Sequence, residues 1–416
     1  MRIIHTADWH LGNIFYRHRR EDEFQHFLDW LLQQLVQYDA DALFVSGDVF
    51  DTSNPSAQAE ELYFDFLKRV VERIPGLQIV IIAGNHDSAS RLEASATFLG
   101  MHNIYVRGMI RHDEKGKISA EEMMIPLGRK DSTEASCVCM AIPFMHPSDY
   151  GEDCRTMEKA MRDCMNQLIQ YYKKSDYNTL PCIGMAHFYA GGALICESEH
   201  SERLSIGGQD LVNIEKLDRN WKYLALGHIH RSQQIGNDDV PIYYSGSVLP
   251  MSFAEKHYKH GVKLIEIGDG KNNCVVSDLS YEPKRKLISV PERGTLTSSE
   301  ILSALDFLPE RREKDTDENW PYLEINLRED RPIPELLSEV TDVLSHKCVR
   351  FCRMTAVRGV KAENDDNIMS LERLRQFTPL EMAENIYQNR YGAPLPEELR
   401  TRFVEAVDKL EENTKG

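Results

Sequence analysis

Several classes of protein are excluded by what this sequence lacks. Its nine cysteines are an odd number, and Cys137-Val138-Cys139 and Cys348…Cys352 are the only close pairs. A zinc knuckle needs two separated Cys-x-x-Cys pairs, so reduced and mostly buried thiols are expected. No apolar run is long enough to cross a bilayer, and no membrane association is expected. Met1-Arg2-Ile3-Ile4-His5 enters a strand pattern at once, which leaves no room for the charged and apolar regions of a signal peptide. A soluble cytoplasmic protein is the default expectation. No internal repeat or low-complexity tract is present. Positive charge is also scarce, with 49 Lys and Arg against 66 Asp and Glu and a formal net charge of −17. That balance argues against non-specific attachment to nucleic acid over the whole surface. Any polyanionic partner must be met by local positive charge.

What is present is a long alternation of strand and helix signals. Strand-like runs occur at 2–5, 42–46, 78–83, 138–142, 182–186, 223–226 and 241–245. Between the early ones, Phe24, Phe27, Leu28, Leu31 and Leu35 share one helical face, and Leu62, Phe66, Val70 and Ile74 form a second stripe. Repeated β-then-α units predict a layered α/β fold with helices covering a largely central sheet. Residues 108–136 are polar and charge-mixed and read as an excursion from the core. After Glu282 the pattern changes. Strands at 287–290, 322–327 and 349–357, with helices at 299–307 and 333–344, predict a small, separate α/β unit. Then Thr378-Pro379-Leu380-Glu381 is a capping box with proline at the first helical position. A second helix carries Leu399, Phe403, Val407 and Leu410 on one side. The expected division is 1–282, 283–360 and a terminal helical hairpin over 361–416. The hairpin's stripes must be buried, either on this chain or on a partner.

Five short runs follow strand-like stretches and each carries a potential metal ligand. They are Asp8-Trp9-His10, Gly47-Asp48-Val49-Phe50-Asp51, Gly84-Asn85-His86-Asp87, Ala186-His187-Phe188 and Gly227-His228-Ile229-His230. Loops leaving the carboxyl ends of strands gather at one edge of such folds, so the runs are expected to converge. Asp8 and His10 read as alternating along an extended segment, with both side chains on the same side, and His228 and His230 repeat the pattern. Glycines at 47, 84 and 227 precede ligands and permit tight turns. Singly, Asn85 could be a turn residue, Asp48 a helix cap and His187 a structural histidine. Independent turns and caps would not keep falling after successive strands with this donor set. Oxygen and nitrogen donors without thiolate suit Mn²⁺, Fe²⁺ or Zn²⁺. Two divalent ions side by side, typically about 3.5–4 Å apart, are a standard device for phosphate-ester hydrolysis. His86 is placed to protonate a leaving oxygen or steady the transition state, with Asp87 orienting it. Arg17, Arg19, Arg20 and Arg231 flank the ligand runs, and Lys256, His257, Lys259 and His260 form another basic cluster.

The five runs in this order resemble the signature of the calcineurin-like metallophosphoesterases. The wider strings His5-Thr6-Ala7-Asp8-Trp9-His10-Leu11-Gly12, Gly47 to Thr52, Gly84 to Ser88 and Leu226 to Arg231 are similar to the SbcD family, nuclease subunits of bacterial SbcCD complexes. So are Tyr244-Ser245-Gly246-Ser247 and Pro250-Met251-Ser252-Phe253. The resemblance covers essentially the whole chain. It implies that Asp8, His10 and His230 hold one metal, that Asn85, His187 and His228 hold the other, and that Asp48 bridges them. It makes His86 the catalytic histidine and Mn²⁺ the usual activating metal. It implies exonuclease action on double-stranded DNA, driven by an SbcC-like coiled-coil ATPase, and endonuclease action on single strands and hairpins, in repair, recombination and replication. It also implies a homodimer within a heterotetramer, a 283–360 unit that caps the site and positions DNA, and a terminal hairpin docked on the ATPase's coiled coil. Asp51 stands where archaeal and eukaryotic relatives often have a histidine, and that histidine's role is not carried over to it. Two other readings compete. A phosphoesterase for another phosphodiester or phosphomonoester would use the same ligands but needs neither the small unit nor the terminal helices. A metal-binding scaffold would need no catalytic histidine.

Overall fold

A computed structural model describes residues 1–357, except 114–117, 151–153, 195–210, 218–219, 236–240, 269–273, 313–314 and 329–334; beyond 357 it describes only Leu380, Pro396, Arg400 and Phe403. The expected terminal hairpin therefore lies outside the described residues. Contacts divide the chain into two units, Met1–Val357 and Arg358–Gly416.

Two six-stranded sheets form the body of the first unit. One runs, in spatial order, Cys274–Tyr281, His260–Ile267, Arg2–Thr6, Ala42–Ser46, Gln78–Ile82 and Ile104–Arg107. The last four are mutually parallel, and Ile3 pairs with Ala42 as Ala42 pairs with Gln78. The other runs Gln233–Ile235, Ile242–Tyr244, Tyr223–Gly227, Cys182–His187, Ala135–Ala141 and Met124–Gly128. Ile3, Phe44, Val80 and Ile82 from the first sheet meet Cys139, Ile183, Met185 and Ala225 from the second in one apolar core. Helices Glu21–Gln37 and Ala57–Arg73 cover the outer face of the first sheet. Helix Met157–Tyr172 covers the outer face of the second. Central strands buried on both faces read as unbroken apolar runs, which is why Ala42–Ser46 shows no alternation.

Several features differ from the sequence reading. Residues 108–136 are not wholly an excursion, because Met124–Gly128 is the edge strand of the second sheet, paired antiparallel with Ala135–Ala141. The hairpin of His260–Ile267 and Cys274–Tyr281 has no counterpart among the expected strands. It extends the first sheet beyond Arg2–Thr6. His260, expected in a basic surface cluster, is buried, with Nδ1 2.9 Å from the Ser247 carbonyl.

The small sheet orders Leu287–Val290, Tyr322–Arg328 and Arg350–Val357 in parallel, covered by helices Ser298–Asp306 and Leu336–Leu344. It lies within the unit Met1–Val357 together with the two large sheets. Tyr322 packs with Phe15 and Phe253, and its hydroxyl donates to Glu23 Oε2 at 2.6 Å. Arg285 grips Asp22 with two hydrogen bonds of 2.8 and 2.5 Å. Arg20, expected beside the ligand loops as a free cation, is instead buried and donates to Glu23 and to the Pro250 carbonyl. A buried guanidinium needs this much company, because desolvation is otherwise too costly.

Candidate metal centre

The parallel register brings the carboxyl ends of five strands to one edge, and the expected residues meet there. Three groups of donors each fall within 4.8 Å of one another: Asp8, His10 and His230; His10, Asp48 and His86; and Asp48, His187 and His228. Asp48 Oδ2 is 3.3 Å from His187 Nε2 and 3.8 Å from His10 Nε2, so it lies between two clusters. Asn85 joins the second, with Oδ1 3.0 Å from His187 Nε2 and 2.8 Å from His228 Nδ1. All seven expected ligands and His86 are therefore brought together.

The local backbone is not what alternation predicts. Asp8, His10, Asp48 and His228 all have positive φ, at 52°, 49°, 50° and 98°. The strand ends at Thr6, and Asp8-Trp9-His10 is a strained loop whose central Trp9 is buried against Phe27 and Phe66. Non-glycine residues in this region carry strain that surrounding structure must enforce, a pattern that clusters at functional sites. The enforcement is visible. Asp8 N–H donates to the Gly47 carbonyl and His10 N–H to the Asp48 carbonyl, both at 3.0 Å. Position 84 requires glycine because a Cβ there would collide with the Asp48 carboxylate.

The electrostatics favour cations. His187 Nδ1 is 2.8 Å from the Ser46 carbonyl, which can only accept, so this nitrogen holds a proton. Nε2 then faces Asp48 Oδ2 and Asn85 Oδ1. Burial alone would lower the His187 pKa, but Asp48 overrides it and lifts it to about 9. Burial likewise opposes the charge on Asp48, yet the neighbouring imidazoles hold its carboxyl far below the ordinary value. His228 is lowered to about 3 by burial and by the nearby His187, which keeps it neutral and able to ligate. Asp8 Oδ2 is fully buried and accepts no hydrogen bond from the described residues. Donor atoms converging this closely, with an orphaned carboxylate oxygen among them, fit a pair of divalent cations.

Asp87 requires a correction. The sequence reading has it orient His86, but its carboxylate accepts from the backbone N–H groups of Val49, Phe50 and Gly84 at 3.1, 2.9 and 2.9 Å. Two ligand loops are thereby clamped together. Burial first, and then the Asp48 charge, push the Asp87 carboxyl up to about 6 against the pull of those amides. His86 is oriented by the Asp51 carbonyl, 2.8 Å from Nδ1, and its own N–H donates to Asp48 Oδ1 at 2.8 Å. One buried acid escapes the sequence reading altogether. Glu255 Oε1 lies 3.0 Å from His230 Nδ1. Its only signal in the sequence is its place just after Pro250-Met251-Ser252-Phe253.

Of the basic residues near these loops, Arg17, Arg19, Arg231, His257 and Lys259 are exposed. Arg231 lies over the Tyr258 ring.

Comparison with known proteins agrees with this geometry. Residues 1–232 match the calcineurin-like phosphoesterase family, and residues 283–391 match a family described as the type 5 capsule protein repressor C-terminal domain. The SbcD component of nuclease SbcCD from Rhodobacter capsulatus is 34% identical over 86% of this chain and 88% of its own length. Its namesake from Escherichia coli K12 is 34% identical over 66% and 67%, and that from Bacillus subtilis is 27% identical over 99% of both chains. With a dimetal-type donor set at the strand ends and this degree of likeness over most of its length, the chain belongs to the SbcD family of metal-dependent phosphodiesterase nuclease subunits.

Proposed function

We propose that the chain hydrolyses DNA phosphodiesters at the edge where the five loops meet, as an exonuclease on double strands and an endonuclease on single strands and hairpins. Asp8, His10 and His230 would hold one divalent ion, Asn85, His187 and His228 the other, with Asp48 between. Mn²⁺ suits this mixed oxygen and imidazole set. When bound, such a pair polarises a phosphoryl oxygen, activates water and stabilises the charge of an in-line displacement. The chain's own residues do the rest. His86 Nδ1 faces the Asp51 carbonyl and so keeps its proton, which leaves Nε2 to carry and release a proton toward the leaving oxygen. Asp48 fixes the His86 backbone through its N–H, and Asp87 ties the 47–50 and 84–87 loops so that His86 and Asp48 stay in register. Arg17, Arg19, Arg231 and Lys259 would meet the DNA backbone locally, on a chain otherwise acidic.

The observation that carries this reading is the sharing of Asp48 between two donor clusters with His86 beside it. Its test is His86→Ser in a Mn²⁺-dependent assay on a DNA hairpin. Cleavage is expected to fall to background while two equivalents of Mn²⁺ remain bound. Loss of metal instead would make His86 a ligand.

The reading extends to assembly. Residues 283–360 would form a cap beside the site, and 361–416 a hairpin that docks on the coiled coil of an SbcC-like ATPase, within a heterotetramer holding two copies of this chain. The family names of the relatives support a two-component complex. The place of action would be the cytoplasm, on chromosomal DNA. No described helix is long and apolar enough to cross a membrane.

A further inference from the structure

Glu255 closes a short turn, Phe253–Glu255, and is 2% exposed. A carboxylate this deeply buried is costly unless both oxygens have donors. Its two oxygens serve different partners. Oε2 accepts the Met251 backbone N–H at 2.8 Å, which folds the 250–255 strap back on itself. Oε1 lies 3.0 Å from Nδ1 of His230, itself 3% exposed. An ionised carboxylate only accepts, so this contact requires the proton on Nδ1. The His230 lone pair is then on Nε2, which points at His10 Nε2 at 3.2 Å, inside the cluster with Asp8.

We propose that Glu255 is a positioning residue for His230: it selects the Nδ1–H tautomer, fixes the ring plane and raises the basicity of Nε2 toward a divalent cation. The inference rests on the reading of His230 as a metal ligand. Imidazole ligands commonly donate their second nitrogen to a carboxylate, and the partner's loss typically weakens metal affinity about 10–100-fold. The strap is itself held from outside the site. Arg20 Nη1 donates to the Pro250 carbonyl at 2.7 Å, so Met251, and with it Glu255 Oε2, cannot drift. The second cluster is built differently. His187 Nδ1 meets the Ser46 backbone carbonyl, and His228 Nδ1 faces Asn85 Oδ1, which belongs to the same proposed ligand set; among the described residues no carboxylate contact to the far side of either ring is seen. Glu255 therefore acts on one of the two sites.

Glu255→Gln tests this with little change in volume. The amide keeps one acceptor for two donors, so either His230 or Met251 loses its bond. Binding of MnCl2 to the full chain, followed by electron paramagnetic resonance of free Mn²⁺, is expected to show one equivalent weakened at least tenfold and the other unchanged. His230→Ala serves as the reference and is expected to lose the same equivalent. If Glu255→Gln binds both ions as the parent does while His230→Ala loses one, the proposal is wrong and the ligand reading stands. If His230→Ala also keeps both, the ligand reading itself fails. Should Glu255→Gln not fold, the ring nitrogens of the unsubstituted protein decide the question by ¹⁵N correlation spectra without metal, with His230 assigned by substitution. An Nδ1–H tautomer is expected, and an Nε2–H tautomer overturns the proposal.

Discussion

Asp48 is asked to serve both sides of the site. Oδ1 accepts the His86 N–H, and Oδ2 lies 3.3 Å from His187 Nε2 and 3.8 Å from His10 Nε2. Its own backbone is held at positive φ by a glycine on one side and by bonds to the first ligand loop on the other. Replacing it with Asn substitutes an amide donor for one of two oxygens that must both accept. Asp48→Asn is expected to remove both equivalents of Mn²⁺, whereas His228→Ala removes one; calorimetric titration distinguishes the two. At this scale most of the site is legible in the sequence, because a ligand's chemistry is a property of its side chain. Asp87 is the exception. Its letter is compatible with orienting a histidine or clamping a loop, and only the positions of the Val49, Phe50 and Gly84 amides decide which.

The strands matter chiefly for where they stop. Four parallel neighbours of the first sheet and the middle of the second end at one edge, so side chains from positions 8 to 230 need only short loops to meet. The sheets are also pinned to each other by a polar contact, His5 Nδ1 to the Tyr223 hydroxyl at 3.0 Å. Burial, and then the nearby Lys263 cation, lower the His5 pKa from 6.5 to about 3. The unfolded chain therefore binds a proton that the fold refuses between these values. Stability from the neutral ring is complete above pH 6.5 and is lost as pH falls toward 3. By pH 5 that loss is roughly 2 kcal/mol. In EDTA, the fall in Tm from pH 7 to pH 5 is expected to be smaller for His5→Phe than for the parent; an equal fall removes His5 as the cause. The central strands are legible because burial on both faces demands apolar runs. The His260–Ile267 hairpin is not, because its entry is hidden behind Lys256, His257 and Lys259, whose charge reads as surface.

At the scale of the molecule the small sheet is fastened to the phosphoesterase body by charge as much as by apolar packing. Arg20 and Glu23 are both fully buried as side chains, 2.9 Å apart, and Tyr322 closes the network from the small sheet. Removing Arg20 takes away the nearest cation of Glu23 and leaves it the Tyr322 hydroxyl and Arg285, 3.5 Å away. Arg20→Ala is expected to destabilise the fold by about 3 kcal/mol, the low end for breaking a buried ion pair, because Arg285 still faces Glu23. Denaturant unfolding measures this directly. The Pro250 strap, held by the same arginine, is expected to loosen as well. The terminal residues carry a separate expectation from the proposed assembly. Deleting residues 366–416 should leave Mn²⁺-dependent cleavage of single strands intact and abolish co-purification with the ATPase; retained association would place the docking surface elsewhere on the chain.

The order of amino acids alone specifies the donor set, its sequence along the chain and the apolar runs that carry it, because these depend on side-chain chemistry and on local periodicity. That is enough for two metals, for phosphate-ester hydrolysis and for the family. Whatever depends on a partner far away in the chain is settled only in the folded molecule. Arg20 is no surface cation, because Pro250 lies 230 residues on. Glu255 bears on the centre only because its strap folds back against His230. The left-handed turns at Asp8, His10, Asp48 and His228 exist only because neighbouring loops enforce them. Local pattern cannot encode such contacts, since each is a meeting of segments that the fold alone brings together.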